Sequence, residues 1–195
     1  MPFGGYVLVG GKSSRFGRDK ALLEVPGGML AGRAAQAVRA ATGSVVLVGS
    51  PDKYRALGLS VIPDAVAGVG PLGGILAALE NSLHDWNLIV ACDMPGLRAD
   101  FLRFLLARTE EFPGELVLPL NRDGLPEPLC AVYHRRAAAG IRRNIAAGVL
   151  KIARAFERLK VLEIRSEQYA EFDPEGRLFA NVNTSEEARA AGLVD

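Results

Sequence analysis

Residues 6–11 constrain this chain more than any other stretch. Tyr6-Val7-Leu8-Val9 is a short apolar run, rich in β-branched residues, that stops at two adjacent glycines, Gly10 and Gly11. A run of that length without polar alternation reads as a strand buried on both faces, which belongs in a parallel sheet. The loop behind it places Lys12, Arg15, Arg18 and Lys20 within nine positions, with Ser13 and Ser14 as further donors and Asp19 as the only opposing acid. Glycines at the carboxyl end of a first strand let the backbone approach a flat or charged ligand, and a loop this cationic suits phosphate oxygens. It is not a P-loop. GxxxxGK[ST] ending at Ser13 requires glycine at position 6, which is Tyr6, and the dinucleotide pattern GxGxxG is absent.

The rest of the chain alternates apolar runs with helical stretches. Helices are expected at 29–41, 52–57, 75–83, 100–108, 136–147, 150–159 and 185–191. Strands are expected at 45–48, 59–62, 87–92, 115–120, 126–133 and 160–164. Continuous apolar strands between helices predict an α/β fold with a mostly parallel sheet covered on both faces, its functional loops at the carboxyl ends of the strands. The 87–92 strand is expected at the centre and the alternating 160–164 strand at an edge.

Further features fall in those loops. Asp64 is followed by Gly68, Gly70, Pro71, Gly73 and Gly74 before an expected helix, a glycine-lined start that suits a base or phosphate or serves as a flexible connection. Asp93, with Met94-Pro95 behind it, ends the expected central strand; such an acid holds a hard cation or caps the next helix. Glu127 lies between Pro126 and Pro128, as an acceptor or metal-shell acid or an acid on an edge strand. Lys151 and Arg154 share a helical face, toward an acceptor phosphate or toward solvent. Asn181 and Asn183 alternate, presenting amide donors and acceptors on one side of the chain, and Thr184 or Ser185 would cap the helix that follows.

At 195 residues, 49% hydrophobic and 23% charged, the chain fits one domain with a core that needs no disulfide or metal staple. A net charge of +1 argues against nucleic acid or membrane surfaces as partners. Cys92 and Cys130 sit in apolar surroundings, which suggests no disulfide framework and a reducing, cytoplasmic location. His84 and His134 are the only histidines, too few for a histidine metal site, and read as surface or helix-end residues. No targeting or membrane-spanning segment is expected.

The stretch Leu8-Val-Gly-Gly-Lys-Ser-Ser-Arg-Phe-Gly-Arg-Asp-Lys-Ala-Leu22 resembles the signature of nucleotidyltransferases of the molybdenum cofactor guanylyltransferase type, L-x-G-G-x-S-x-R-M/F-G-x-D-K-A-L. Three further blocks match in order, extending the resemblance from about Tyr6 to Glu187: Pro63-Asp64 with Gly70-Pro71-Leu72-Gly73-Gly74, Cys92-Asp93-Met94-Pro95, and Phe179-Ala-Asn-Val-Asn-Thr184. The resemblance implies a single-domain Rossmann-like three-layer sandwich similar to nucleotide-diphospho-sugar transferases. About 1–112 would bind GTP and Mg²⁺ and about 113–195 the acceptor, molybdopterin. It also implies transient contacts with other molybdenum cofactor assembly proteins. Leu8, Val9, Gly10, Gly11, Ser13, Lys20, Asp64, Gly70, Pro71, Gly73 and Asp93 would hold the nucleotide, and Glu127, Pro128, Asn181 and Asn183 the acceptor. Asp93 would bind the metal, and Arg15, Lys20 and Asp93 would be catalytic. Two departures stand out. Ser185 replaces a common proline, and Gly49-Ser50 occupies the turn where many relatives carry asparagine. Val9-Gly10-Gly11, rather than the Ala-Ala-Gly typical of CTP-using relatives, points to guanine.

From the residues alone, a cationic glycine loop, a glycine-lined helix start and a strand-end acid together suit a magnesium nucleoside triphosphate. A second nucleotidyltransferase reading has a sugar 1-phosphate as acceptor, and a third is a nucleotide sensor or cofactor carrier without turnover. A GTP-hydrolysing switch is disfavoured by the failed P-loop register, and no GxSxG elbow or Cys–His pairing signal is present.

Overall fold

The computed structural model describes residues 2–10, 19–25, 28–182 and 187. The chain runs β1 (Gly4–Leu8), a small hairpin of β2 (Glu24–Val25) and β3 (Gly28–Met29), α1 (Leu30–Thr42), β4 (Val46–Val48), α2 (Pro51–Tyr54) and β5 (Val61–Ile62). Next come α3 (Pro71–Asn81), β6 (Trp86–Ala91), α4 (Ala99–Ala107), β7 (Leu116–Pro119) and β8 (Cys130–His134). The described elements close with α5 (Ala137–Ala146), α6 (Ile152–Ala155), β9 (Val161–Ile164) and a 3-10 helix over Ser166–Phe172.

Seven strands form one sheet in the order β5-β4-β1-β6-β8-β7-β9. Only β8 runs against its neighbours; β5, β4, β1 and β6 are parallel to one another and β7 is parallel to β9. The expected mostly parallel sheet is therefore observed, with β6 central and β9 at an edge. Side chains alternate along β1 and both faces are apolar, so each face needs a cover. Val7 and Val9 pack with Ala31, Ala34 and Val38 of α1 and Phe101, Leu102 and Leu105 of α4. Tyr6 and Leu8 pack on the other face with Leu72, Ile75 and Leu76 of α3 and Ile141 of α5. The result is the expected three-layer sandwich.

Several expected boundaries shift for physical reasons. Helix α3 begins at Pro71 rather than residue 75, because proline's fixed φ suits the first helical position and Gly70 before it takes φ 67° and ψ −153°, a region only glycine enters readily. Strand β8 begins at Cys130 rather than 126; two prolines lack ladder donors, and the Cys130 N–H instead closes a turn on the Glu127 carbonyl at 3.0 Å. The ten-residue helix expected at 150–159 shrinks to α6. Asn144 Nδ2 takes the Ala155 carbonyl at 2.8 Å, and Leu159 N bonds back to Phe156, which turns the chain toward β9. The β2–β3 hairpin and the Ser166–Phe172 helix were not anticipated. The helix expected at 185–191 and its caps Thr184 and Ser185 lie mostly outside the described residues.

The end of the described chain is pinned by aromatics. Phe101, fully buried, has the Tyr169 ring centroid at 5.2 Å and that of Phe179 at 5.6 Å, both edge-on, while the Tyr169 hydroxyl donates to the Leu120 carbonyl at 2.6 Å. Phe101→Ala should cost about 3–5 kcal/mol by removing the hub of this cluster, read as a lower urea midpoint.

His134 stacks edge-on against Trp86 at 4.9 Å, and its Nδ1 accepts the Arg136 N–H at 3.1 Å, which requires the neutral ring. Burial, then the Arg136 charge, lower its pKa below 6.5, against the opposing pull of Asp85 and Glu115. The unfolded chain therefore takes up this proton first as pH falls, so this contribution to stability should decline from about pH 6.5 down to the lowered folded value. Urea midpoints of wild type and His134→Phe should diverge at pH 7.5 and converge at pH 5.5.

Candidate active site at the carboxyl ends of the parallel strands

The parallel register sets the floor of the site. Leu8 lies opposite Val48 and Ala91, so β1, β4 and β6 end level, and Cys92 N donates to the Leu8 carbonyl at 3.1 Å. Leu8 and Val9 are buried under opposite faces; they fix the strand end, and Gly10 emerges exposed.

Gly10, Gly49, Asp64, Gly73 and Gly74 meet above that floor. A Cβ on Gly10 would stand 3.6 Å from Asp64 Oδ2 and 3.8 Å from Gly49 Cα. A Cβ on Gly74 would stand 3.1 Å from Asp64 Oδ1, and one on Gly73 would collide with the Val66 carbonyl. Although Asp64 is exposed overall, its carboxylate is turned inward against these glycines, and that partial burial raises its pKa. The Gly49-Ser50 turn thus lies beside Gly10, while Gly70 and Pro71 form the exposed N-terminus of α3.

Lys20 and Asp93 come together. Asp19 Oδ1 accepts the Ala21 N–H at 3.1 Å and caps the 3-10 turn Lys20–Leu22. From that turn Lys20 reaches Asp93, with Nζ 2.6 Å from Oδ2 and both side chains mostly buried, at 23% and 16% exposure. Asp93 Oδ1 is buried and has no hydrogen-bond partner among the described residues. Asp93 does not cap α4, whose N-cap is Arg98. An acceptor-only oxygen buried without a donor is costly in isolation and fits a hard cation. Among the described residues no three His, Cys, Asp or Glu side chains cluster for a metal.

On the other side, Glu127 opens the turn that leads into β8, between β6 and β7; its N–H donates to the Pro119 carbonyl at 2.9 Å, and its carboxyl lies near enough to Asp93 to feel that charge. Glu127 is therefore no edge-strand acid: it enters an interior strand. Its Oε1 accepts Asn121 Nδ2 at 2.9 Å; burial raises its pKa, the Asn121 bond opposes this, and the Asp93 charge adds to the rise. The Pro128 carbonyl accepts the Tyr133 hydroxyl at 2.6 Å. Asp173 Oδ1 takes the Arg177 and Leu178 N–H groups, and Val182 N donates to the Asp93 carbonyl at 2.9 Å, which brings Asn181 next to the acid. Lys151 and Arg154 are exposed, on the α5–α6 layer. Gly11, Ser13, Arg15 and Asn183 lie outside the described residues.

Sequence reasoning missed Tyr54, buried at 2% exposure, whose hydroxyl contacts Val9 and Asp19. A buried tyrosine in a short polar helix was the available signal. A surface cavity of about 480 Å³ between α1 and the segment after Asp93 is lined by Arg33, Gln36, Met94, Pro95 and Leu97 among others, and none of the expected nucleotide residues lines it.

A doubly covered sheet with glycines, a lysine and a lone acid at its parallel carboxyl ends is the architecture of a nucleotidyltransferase. Residues 5–161 match the model of the MobA-like NTP transferase domain, and the chain belongs to that family. It is 32% identical over 189 residues to a molybdenum cofactor guanylyltransferase of Syntrophotalea carbinolica, covering 96% of this chain and 90% of that protein. Over 158 residues it is 40% identical to a probable molybdenum cofactor guanylyltransferase of Pyrococcus furiosus, covering 78% and 79%. The crystal structure of molybdopterin-guanine dinucleotide biosynthesis protein A from Archaeoglobus fulgidus superposes with a TM-score of 0.83 at 30% identity, covering 96% of each chain. A 4-diphosphocytidyl-2C-methyl-D-erythritol synthase from Anaerococcus prevotii shares the fold, at a TM-score of 0.70 and 10% identity, covering 97% of this chain and 94% of that one.

Gly73→Ala should displace the 64–70 loop, because the added carbon meets backbone rather than a side chain that can swing away. The expected cost is about 1–3 kcal/mol in urea melts, with weaker nucleoside triphosphate binding.

Proposed function

We propose that this chain transfers GMP from GTP to the terminal phosphate of molybdopterin, or of its molybdenum form, giving the guanine dinucleotide and pyrophosphate. The observation that carries the reading is the Lys20–Asp93 contact, 2.6 Å at Oδ2, with Oδ1 of the same carboxylate buried and partnerless among the described residues. A phosphate clamp and a ligand for Mg²⁺ then stand at one point. The named relatives supply guanine and molybdopterin.

In this reading residues up to about 112 hold the donor and the rest hold the acceptor. Gly10, Gly11 and Gly73 admit the nucleotide close to the backbone, Asp64 accepts from N–H or hydroxyl groups of the guanosine, and Gly70 and Pro71 open α3 toward it. Ser13, Arg15 and Lys20 bind the β- and γ-phosphates, and Arg15 and Lys20 stabilise the negative charge of the departing pyrophosphate. Asp93 would hold Mg²⁺, which would supply further stabilisation of negative charge on the phosphates. An acceptor phosphate oxygen forms the new bond to the α-phosphorus as the bond to the β-phosphate oxygen breaks. With its second pKa near 6 the acceptor phosphate is already largely dianionic, so no general base is required. Glu127, with Oε1 engaged by Asn121, accepts from N–H groups of the acceptor; Pro128, Asn181 and Asn183 complete that side. Among the described residues no helix is long and apolar enough to cross a membrane; the free, buried Cys92 and Cys130 favour a reducing, cytoplasmic setting for the reaction.

The test incubates purified protein with Mg²⁺, molybdopterin and each of the four NTPs. GTP consumption with release of pyrophosphate and formation of the guanine dinucleotide is expected. Preference for CTP would overturn the guanine assignment, and molybdopterin binding without pyrophosphate would mark a carrier. Lys20→Ala and Asp93→Ala should each slow turnover about 100-fold or more with the fold retained by circular dichroism, and Lys20→Ala, which leaves the Asp93 carboxylate without its cation, should also lower the melting temperature.

A further inference from the structure

We infer that Tyr54 is a positioning residue for the donor triphosphate: its single phenolic oxygen fastens both ends of the cationic loop and so fixes where Lys20 stands. The hydroxyl lies 2.6 Å from the Val9 carbonyl and 2.7 Å from Asp19 Oδ2. Val9 is the last residue before the 10–18 loop and Asp19 the first after it. One atom from α2, 35 residues beyond Asp19, thus holds Val9 and Asp19 together. The ring is buried, with Cε2 3.0 Å from where a Cβ on Gly49 would stand, so glycine at that turn is what lets the phenol reach the loop.

The staple connects directly to the reacting end. With Oδ2 against Tyr54, Asp19 uses Oδ1 to cap the turn that begins at Lys20, and Leu23 N closes that turn on the Lys20 carbonyl at 3.0 Å. The order of contacts is Val9, Tyr54, Asp19, the Lys20–Leu22 turn, Lys20 and Asp93. A phenol has one hydrogen and faces two acceptors, so the carbonyl and the carboxylate share it, while Lys53 Nζ at 3.8 Å from Oδ2 offsets part of the carboxylate charge. Burial and the Asp19 carboxylate raise the phenol's pKa, which keeps that hydrogen in place. Holding Val9 and Asp19 together before the nucleotide arrives removes an ordering cost from binding.

The inference rests on the reading of this loop as the donor site, and the experiment separates the two. Tyr54→Phe keeps the ring and removes the oxygen. Its KM for GTP should rise about tenfold or more with kcat reduced and the molybdopterin KM within about twofold of wild type. Amide exchange at Ala21, whose N–H bonds Asp19, should accelerate in the same variant, and that readout needs no activity. Asp19→Ala should reproduce both effects, and the double variant should be no worse than the worse single one, since both substitutions open the same staple. An unchanged GTP KM, equal rises in both KM values, unchanged Ala21 exchange, or additive effects of the two substitutions would each overturn the role of Tyr54. If wild type proved inactive with GTP, the guanylyl reading would fail, and Mg²⁺–NTP binding together with Ala21 exchange would still decide the staple.

Discussion

The contact between Lys20 and Asp93 joins residues 73 positions apart, and the placement of the rest of the site depends on it. A pair held this far out of water gains little net stability, because desolvation offsets much of the attraction. Its geometry comes from the sheet: β1 and β6 are parallel neighbours ending level at Leu8 and Ala91, so what leaves one strand top is within reach of what leaves the other. A shift of one residue in that register would turn Tyr6 and Leu8 toward α1 and Val7 toward α3, and would also separate the strand ends. Core packing and site geometry are thus specified by the same alternation of side chains.

The single antiparallel strand divides the labour. The parallel strands present their exits to the site, whereas β8 presents its entrance, so Glu127, in the turn before β8, comes near Asp93 from the half of the chain that carries none of the glycine loops. The Phe101 cluster and the Asp173 turn then return the distant segment around Val182 to the Asp93 carbonyl. Segments far apart in sequence thus meet at one acid.

The fold was legible because its information is local. Apolar runs such as Asn87 to Cys92 sit between helical stretches, and that pattern alone predicts covered parallel strands. The donor residues that the family signature implies were readable for the same reason: glycines, cations and an acid occur in compact blocks. Boundaries were less legible where a tertiary contact decided them, as at α6, where Asn144 takes a carbonyl that a longer helix would have used. The start of α3 was misjudged because Gly73 and Gly74 are poor helix formers, retained where backbone and Asp64 press close. Tyr54 escaped notice because its role depends on a contact 35 residues away. Glu127 was seen, but whether its strand lay inside the sheet or at an edge is a question of pairing that no short window contains.

Trp86, the only tryptophan, begins β6, the same strand whose far end leads to Asp93. Five steps of strand, from Trp86 to Ala91, separate it from the turn that holds Asp93, roughly 17 Å at about 3.3 Å per residue. Its indole, boxed in by Phe112 and His134, is an intrinsic optical gauge of whether the sheet is assembled, reading the underside of the molecule while remaining blind to events at its mouth.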